Sequence, residues 1–180
     1  ISALLRAKDI THRNAGIFNV EQGPIVDLLT DSFWAVGDTR QATREQRFLF
    51  GTAERTYGPD DPNLVPALHK WARHNVKIGR FSDARKNYHR ALDILEATYG
   101  PNDLRLIDTL YRMASNLRPG GAGADPANQY YPREGAIALQ RVIEIYQSQE
   151  FVDNEDVLTA QTRLGDWYML TDRRRQALDT

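Results

Sequence analysis

The sequence contains no cysteine among its 180 residues, which excludes disulfide bonds and thiolate metal sites. It also lacks any apolar run that approaches the roughly 18 residues of a membrane-spanning helix. Neither sign of charge is in excess, because 23 Lys and Arg oppose 24 Asp and Glu for a net charge of −1. Nonspecific nucleic-acid binding requires a surplus of cations that this chain does not have. We therefore expect no membrane span and no nucleic-acid partner.

Motifs that carry catalysis or bind cofactors are also lacking. The four histidines form no His-x3-His pair, so zinc has no ready helical site. The glycine-rich stretch 120–123 follows a predicted helix and lacks the Lys-Ser/Thr pair of a phosphate-binding loop. The acidic pairs Asp60-Asp61 and Glu155-Asp156 fall in predicted linkers, where we expect them to cap helices. We predict a protein without enzymatic activity, bound metal or cofactor.

What the sequence does have is an internal period of 42 residues. Tyr57-Gly58-Pro59 recurs as Tyr99-Gly100-Pro101, and Gly37 recurs as Gly79. A fixed period between about 20 and 50 residues is typical of solenoid proteins, in which each unit buries its apolar face against its neighbours. The period therefore predicts a tandem array of similar units.

Within one period the apolar pattern predicts two helices, which we name helix A and helix B. Between Leu64 and Gly100, helix A carries a stripe at helical spacing that consists of Leu68, Trp71, Ala72, Asn75 and Ile78. Gly79 is predicted to end helix A and Ser82 to cap helix B. The same pattern predicts a helix B over Thr39 to Tyr57 and a helix A that begins at Asp103. The expected unit is an α-helical hairpin.

The period divides the chain into five parts. They are helix B of a truncated repeat at 1–16, repeats at 17–58, 59–100 and 101–151, and a truncated repeat at 152–180. The third full repeat contains a nine-residue insertion in the Gly- and Pro-rich 118–132 loop. We interpret the insertion as a connector. The alternative is that Tyr130 and Tyr131 at its end contact a partner.

The repeat resembles the tetratricopeptide repeat (TPR). Leu164-Gly165-x2-Tyr168, followed by Ala177, matches the core of the TPR pattern. The period of 42 is similar to that of the longer, kinesin-light-chain-like variety, and Tyr57-Gly58-Pro59 matches its linker. HEAT repeats, which share this range of periods, are the structural alternative. The resemblance implies an all-α, right-handed superhelical solenoid of antiparallel helix hairpins.

A second resemblance concerns the region from His12 to Asp27, with Gly37-Asp38 after it. This region resembles uncharacterised proteobacterial TPR proteins, several of which look exported. The resemblance implies a bacterial origin and favours the periplasm or cell envelope, with the cytoplasm as the alternative. It implies no particular activity.

The TPR resemblance also implies a function, because the A helices of such arrays line a concave groove that binds peptides or proteins. The expected groove residues are Asp27, Asp31, Trp34, His69, Arg73, Lys77, Tyr111, Arg112, Ser115, Thr162, Asp166 and Met169. We expect Arg73 and Arg112 to bind a carboxylate, and Trp34 and Tyr111 to anchor apolar groups. A solvated helix face is the simpler interpretation of the same residues.

Two other functions stay open. The chain could be a structural module that self-associates through exposed repeat ends, where Leu4 and Leu5 lie on the first predicted helix. It could also be the regulatory docking region of a larger protein. The chaperone-binding carboxylate clamp is not expected, because Arg73 stands where such a clamp has asparagine and because Asp27 and Asp31 repel anions.

Overall fold

The computed structural model describes residues 1–116, 131–151 and 153–178, so most of the predicted 118–132 insertion lies outside the described residues. Within these ranges the chain forms α-helices, two short 3-10 helices at Val20–Gln22 and Pro62–Leu64, and no β-strand. The α-helices are α1 (Ser2–Ala15), α2 (Gly23–Ala35), α3 (Thr39–Tyr57), α4 (Val65–Lys77), α5 (Phe81–Tyr99), α6 (Leu106–Asn116), α7 (Tyr131–Gln147) and α8 (Asn154–Leu178). The prediction of an all-α protein is confirmed.

The turns between α2 and α3 and between α4 and α5 have the same backbone structure. Gly37 and Gly79 adopt positive φ angles of 78° and 75°, which glycine tolerates because it has no Cβ. Their N–H groups donate to the carbonyls of Trp34 and Val76, each at 3.0 Å. Because the turns are this short and the joined helices are in contact, each pair is an α-helical hairpin. The predicted end of helix A at Gly79 is confirmed.

The prediction that Ser82 caps helix B is wrong. Helix α5 begins one residue earlier at Phe81, and Arg80 at the cap position makes no side-chain capping bond. In the preceding hairpin Asp38 does cap α3, because its Oδ1 accepts a hydrogen bond from the Gln41 N–H at 3.0 Å. The two hairpins therefore share their backbone turn but differ in the chemistry of the cap.

The linkers between hairpins also recur in the structure. Gly58 and Gly100 have φ angles of 91° and 95°, and both N–H groups donate to the carbonyl four residues back at 2.9 Å. Asp61 accepts from the Asn63 N–H at 2.7 Å, as the predicted capping role requires. Asp103 makes the same turn with Arg105 at 2.9 Å. Since this turn occupies 103–105, helix α6 begins at Leu106, and its predicted start at Asp103 is wrong.

The core lies between helices that are neighbours in the chain. Every pair of consecutive helices is in contact, and α4 also contacts α6. The predicted stripe on α4 faces this core only in part, since Leu68, Ala72 and Asn75 are buried whereas Trp71 and Ile78 are half-buried. The Trp71 ring instead stacks on Phe50 of α3 at a centroid distance of 6.1 Å. Burial of small side chains such as Ala72 and Ala84 brings the backbones of α4 and α5 close together.

Candidate functional site

Helix α6 forms an exposed ridge with a cleft on each side. The ridge consists of Asp108, Arg112 and Ser115, which lie one helical turn apart and are exposed. The cleft toward α4, which we name the α4–α6 cleft, has a volume of about 540 Å³. The cleft toward α8, the α6–α8 cleft, has a volume of about 350 Å³. A partner that occupies both clefts has to cross α6.

The α4–α6 cleft combines cations with an apolar wall. Its apolar lining comes from the two helix ends and the linkers and consists of Pro62, Val65, Pro66, Leu95 and Tyr99. Its charged lining consists of Lys70, Arg73, Arg105, Asp108 and Arg112. Four cations therefore face one carboxylate. Such a lining favours a ligand that has both negative charge and apolar surface.

Most of these cations already have partners. Lys70 Nζ lies 2.6 Å from Asp27 Oδ2, and Arg112 Nε lies 2.8 Å from Asp108 Oδ2. The Arg105 guanidinium lies 3.9 Å from the centre of the Tyr99 ring, which is a cation–π contact. Arg73 is exposed, and within the part of the chain that the structure describes it makes no ion pair or hydrogen bond. Arg73 is thus the cation of this cleft with the most freedom to bind an anion.

His69, which the sequence places in the groove, forms part of the cleft wall. It is 9% exposed, and its Nε2 hydrogen-bonds to Thr109 Oγ1 at 2.9 Å, which joins α4 to α6. Burial, together with the nearby Arg112, lowers the pKa of His69 from 6.5 to about 4, against an opposing effect of Asp108. The imidazole is therefore neutral at neutral pH and serves as a structural link between two helices.

Thr109, His69 and Asp108 have the residue types of a nucleophilic triad, but not its geometry. The side chain of Thr109 is 0% exposed, so a substrate in the cleft has no access to its hydroxyl. His69 Nδ1 lies 3.8 Å from Asp108 Oδ2, which is longer than a hydrogen bond. An imidazole with a pKa near 4 is also a poor general base at neutral pH. The trio does not supply an activated nucleophile to the cleft.

The α6–α8 cleft has aromatic walls. Its lining includes Tyr111, Ser115, Leu139, Arg163, Asp166 and Trp167. The guanidinium of Arg163 lies 4.2 Å from the centre of the Tyr111 ring. Tyr111 also hydrogen-bonds to Tyr146 of α7, and burial raises the pKa of both hydroxyls, so both stay protonated at neutral pH. Tyr111 is therefore held by contacts with both α7 and α8. Its ring and the ring of Trp167 give the cleft an aromatic lining that suits an apolar group.

The predicted groove residues fall into three groups. His69, Arg73 and Arg112 line the α4–α6 cleft, and Tyr111, Ser115 and Asp166 line the α6–α8 cleft. Outside both clefts lie Asp27, Asp31, Trp34, Lys77, Thr162 and Met169. Among these six residues, Asp27 affects the α4–α6 cleft because it forms an ion pair with Lys70 of the lining.

Trp34 lies away from the clefts, near the ends of α2 and α4. Lys77 Nζ is 5.6 Å from the centre of its indole ring, and the ring of His74 is 5.8 Å away. Burial lowers the pKa of His74 to about 4, with Lys77 and Arg80 adding to the effect. The structure thus brings Trp34 together with His74 and does not bring it together with Tyr111, the other expected apolar anchor.

Several cleft residues were not predicted from the sequence. Lys70 lies three residues from Arg73 on the same helix, a spacing that could have indicated it. Arg105 was missed because the sequence predicted residues 103–105 to be helical, whereas they form the turn before α6. Leu139 and Trp167 were missed because the α6–α8 cleft includes helix α7, whereas the prediction considered A helices alone.

Among the described residues there is no group of three or more His, Asp or Glu side chains that could hold a metal ion. In the same part of the chain, none of the helices combines the length and apolar character needed to cross a lipid bilayer. No model of a known protein family matches the sequence, and a search of curated proteins finds no match. Any functional assignment therefore depends on the geometry of the two clefts and on the sequence pattern.

Proposed function

We propose that the chain is a TPR-like solenoid that binds an acidic segment of a protein partner across its A helices. The repeat of the glycine turns at Gly37 and Gly79, and of the linker turns at Asp61 and Asp103, supports a tandem array. In such an array α2, α4, α6 and α8 are the successive A helices. Contacts across these helices, Asp27 to Lys70 and His69 to Thr109, support a continuous A-helix face.

The observation that carries the proposal is Arg73 in the α4–α6 cleft, which has no ion pair among the described residues. An exposed guanidinium can bind a carboxylate with two parallel hydrogen bonds. The N-termini of α4 and α6 lie at the same cleft, and their positive dipole ends add to its preference for negative charge. An exposed ion pair contributes little binding energy by itself. Apolar surface of the ligand that is buried against the apolar wall of the cleft supplies the rest.

The α6–α8 cleft extends this surface to a second contact. Tyr111 and Arg112 are adjacent on α6, so an extended peptide bound at Arg112 reaches the second cleft within a few residues. Trp167 and Leu139 form its apolar floor. The ligand that fits both clefts is a short segment with an acidic residue followed or preceded by an apolar one.

A random peptide library displayed on phage tests this function. We expect selection on the wild-type chain to enrich peptides that combine Asp or Glu with an apolar residue. The enriched peptides are then synthesised and their affinities measured by fluorescence anisotropy. Arg73→Glu is expected to weaken binding by at least about tenfold, or about 1.4 kcal/mol. The matched control is Arg133→Glu, which changes an exposed arginine of α7 outside both clefts.

The same selection can contradict the proposal. Enrichment of basic peptides, or equal affinities of the wild type and Arg73→Glu, would show that the cleft does not select acidic ligands. The affinity of a selected peptide should also fall as the salt concentration rises, since the contact is between exposed charges.

A structural or oligomerising role is the second candidate, and helix α1 is the observation that favours it. Its side chains include Leu5 and Ile10, which are 43% and 58% exposed, and α1 has no buried residue. A helix with this much exposed apolar surface is suited to pack against another element. Light scattering on Leu5→Ser/Ile10→Ser tests this role, since a fall in mass relative to the wild type is expected only if α1 mediates assembly.

A further inference from the structure

The outer surface of α3 carries a basic and aromatic patch that the clefts do not involve. Arg44, Arg47 and Arg55 lie on one face of the helix and are exposed. Phe18, which is 52% exposed, stacks on Phe48 at a centroid distance of 6.1 Å. The Arg55 guanidinium lies 4.3 Å from the centre of the Phe18 ring. We name these five residues the α3 patch.

The arginines of the α3 patch differ from the two arginines that join successive B helices. Arg90 and Arg141 each pair with a glutamate at 2.6 Å. Arg44, Arg47 and Arg55 make no ion pair within the described part of the chain. Cations at helical spacing repel one another, so the patch is stabilised by any anion that binds across it.

Gly51 lies in the middle of this face. Glycine weakens a helix interior, and here packing does not require it, because a built Cβ would meet no atom within 4 Å. Its effect is to leave the middle of this face, one helical turn from Arg47, Phe48 and Arg55, without a side chain. An aromatic ring can approach the helix backbone closely at such a position.

The same chain carries a segment with the complementary chemistry. Phe151 is 90% exposed, the largest exposure among the apolar side chains of the described residues. Glu150, Asp153, Glu155 and Asp156 surround it in the sequence, are exposed, and make no ion pair within the described ranges. We name these five residues the Phe151 segment. Gly100, moved forward by the period of 42 and the nine inserted residues, falls on Phe151. Phe151 therefore occupies the linker position that is glycine at Gly58 and Gly100.

We propose that the α3 patch of one copy binds the Phe151 segment of a second copy. Four carboxylates would face three arginines, and the Phe151 ring would lie over Gly51 beside Phe18 and Phe48. The contact requires a second copy, because within one chain α3 packs against α2 and α4, is joined by ion pairs to α1 and α5, and does not pack against α7 or α8. Because the two surfaces differ, the contact is heterologous. Each copy can use its α3 patch to bind one neighbour and its Phe151 segment to bind another, so the assembly can grow.

Light scattering over a range of concentrations tests the proposal on the whole chain. The wild type is expected to exceed its monomer mass of 20.5 kDa as the concentration rises, and less so at high salt. The patch variant Arg47→Glu/Arg55→Glu and the segment variant Glu150→Arg/Phe151→Ser are each expected to stay monomeric. The control is Lys86→Glu/Arg133→Glu, which makes the same charge change as the patch variant at exposed cations of α5 and α7 and should assemble like the wild type. Circular dichroism establishes that all variants keep their helices.

Mixing the two variants gives the decisive result. The segment variant keeps an intact α3 patch, and the patch variant keeps an intact Phe151 segment. A mixture should therefore form a 1:1 dimer and grow no further. A third variant, Gly51→Gln, places a side chain in the middle of the patch without a change in charge and should assemble less than the wild type. A monomeric wild type, a monomeric mixture, or assembly that persists in both variants would overturn the proposal.

Discussion

Arg90 of α5 donates a hydrogen bond from Nη1 to Glu54 Oε1 of α3 at 2.6 Å. Its Nη2 also donates to the Pro59 carbonyl of the linker at 2.9 Å. Arg141 repeats both contacts in the next interface, with Glu96 at 2.6 Å and with the Pro101 carbonyl at 3.3 Å. In each interface one arginine thus joins its own helix B to the preceding helix B and to the linker that follows that preceding helix.

The first interface replaces this ion pair with aromatic rings. The positions of Glu54 and Arg90, moved back by 42 residues, are His12 and Phe48. Their ring centroids are 5.9 Å apart. The same two positions are therefore in contact in both interfaces while the chemistry of the contact changes, and Phe48 becomes part of the α3 patch.

Loss of the Arg90 contacts should weaken the interface between hairpins. We expect Arg90→Met, which keeps much of the apolar stem, to lower the free energy of unfolding by about 1 kcal/mol, because the pair is partly exposed. Urea denaturation followed by circular dichroism measures this change. Arg13→Met is the control, since it removes an exposed pair with Asp9 within one helix and should cost less than about 0.5 kcal/mol. Equal effects of the two changes would mean that the link between helices adds nothing.

Gly135 of α7 should be intolerant of a side chain. A Cβ built at this position would overlap the indole ring of Trp167, which is 4% exposed. We expect Gly135→Ala to destabilise the protein by about 1–3 kcal/mol, as overpacking does. Gly165→Ala in α8 is the matched control, since its Cβ would meet no atom within 4 Å, and it should stabilise the helix by up to about 1 kcal/mol. Thermal unfolding of both variants gives the comparison, and a neutral Gly135→Ala would contradict the close packing of Trp167.

The sequence predicted local structure better than it predicted the site. The predicted bounds of α3, Thr39 and Tyr57, are confirmed because glycine turns delimit the helix on both sides. Cap chemistry was harder, as Ser82 shows, since a serine next to a turn can also lie inside the first helical turn. The bond between His69 and Thr109 joins residues 40 apart in the chain, and no local pattern encodes such a distance. Which groove residues share a cleft was set by these contacts between helices.

Two buried histidines should make the stability depend on pH. The pKa values of His69 and His74 in the folded chain are about 4, whereas the unfolded value is 6.5. Between pH 6.5 and pH 4 the unfolded chain binds protons that the folded chain does not, so the free energy of unfolding falls as the pH falls. Each shift corresponds to roughly 3 kcal/mol, fully present above pH 6.5 and lost by about pH 4.

Urea denaturation at several pH values checks this dependence. In His69→Gln/His74→Gln the slope of stability against pH between 4 and 6.5 is expected to be much smaller than in the wild type. His89→Gln is the control, because the side chain of His89 is 44% exposed. A double variant with the slope of the wild type would mean that other groups cause the acid sensitivity.

A buried asparagine should be replaceable with a gain in stability. Asn75 is 1% exposed, and neither its Nδ2 nor its Oδ1 has a hydrogen-bond partner among the described residues. The position 42 residues earlier is Phe33, which is buried in an apolar cluster. Because an unpaired buried amide costs about 1–3 kcal/mol, Asn75→Leu is expected to raise the free energy of unfolding by about 1 kcal/mol or more. Asn116→Leu should instead lower it, since Asn116 Nδ2 donates to the Tyr88 hydroxyl at 2.8 Å. Urea midpoints distinguish the two, and a destabilised Asn75→Leu would show that the amide has a polar partner in solution.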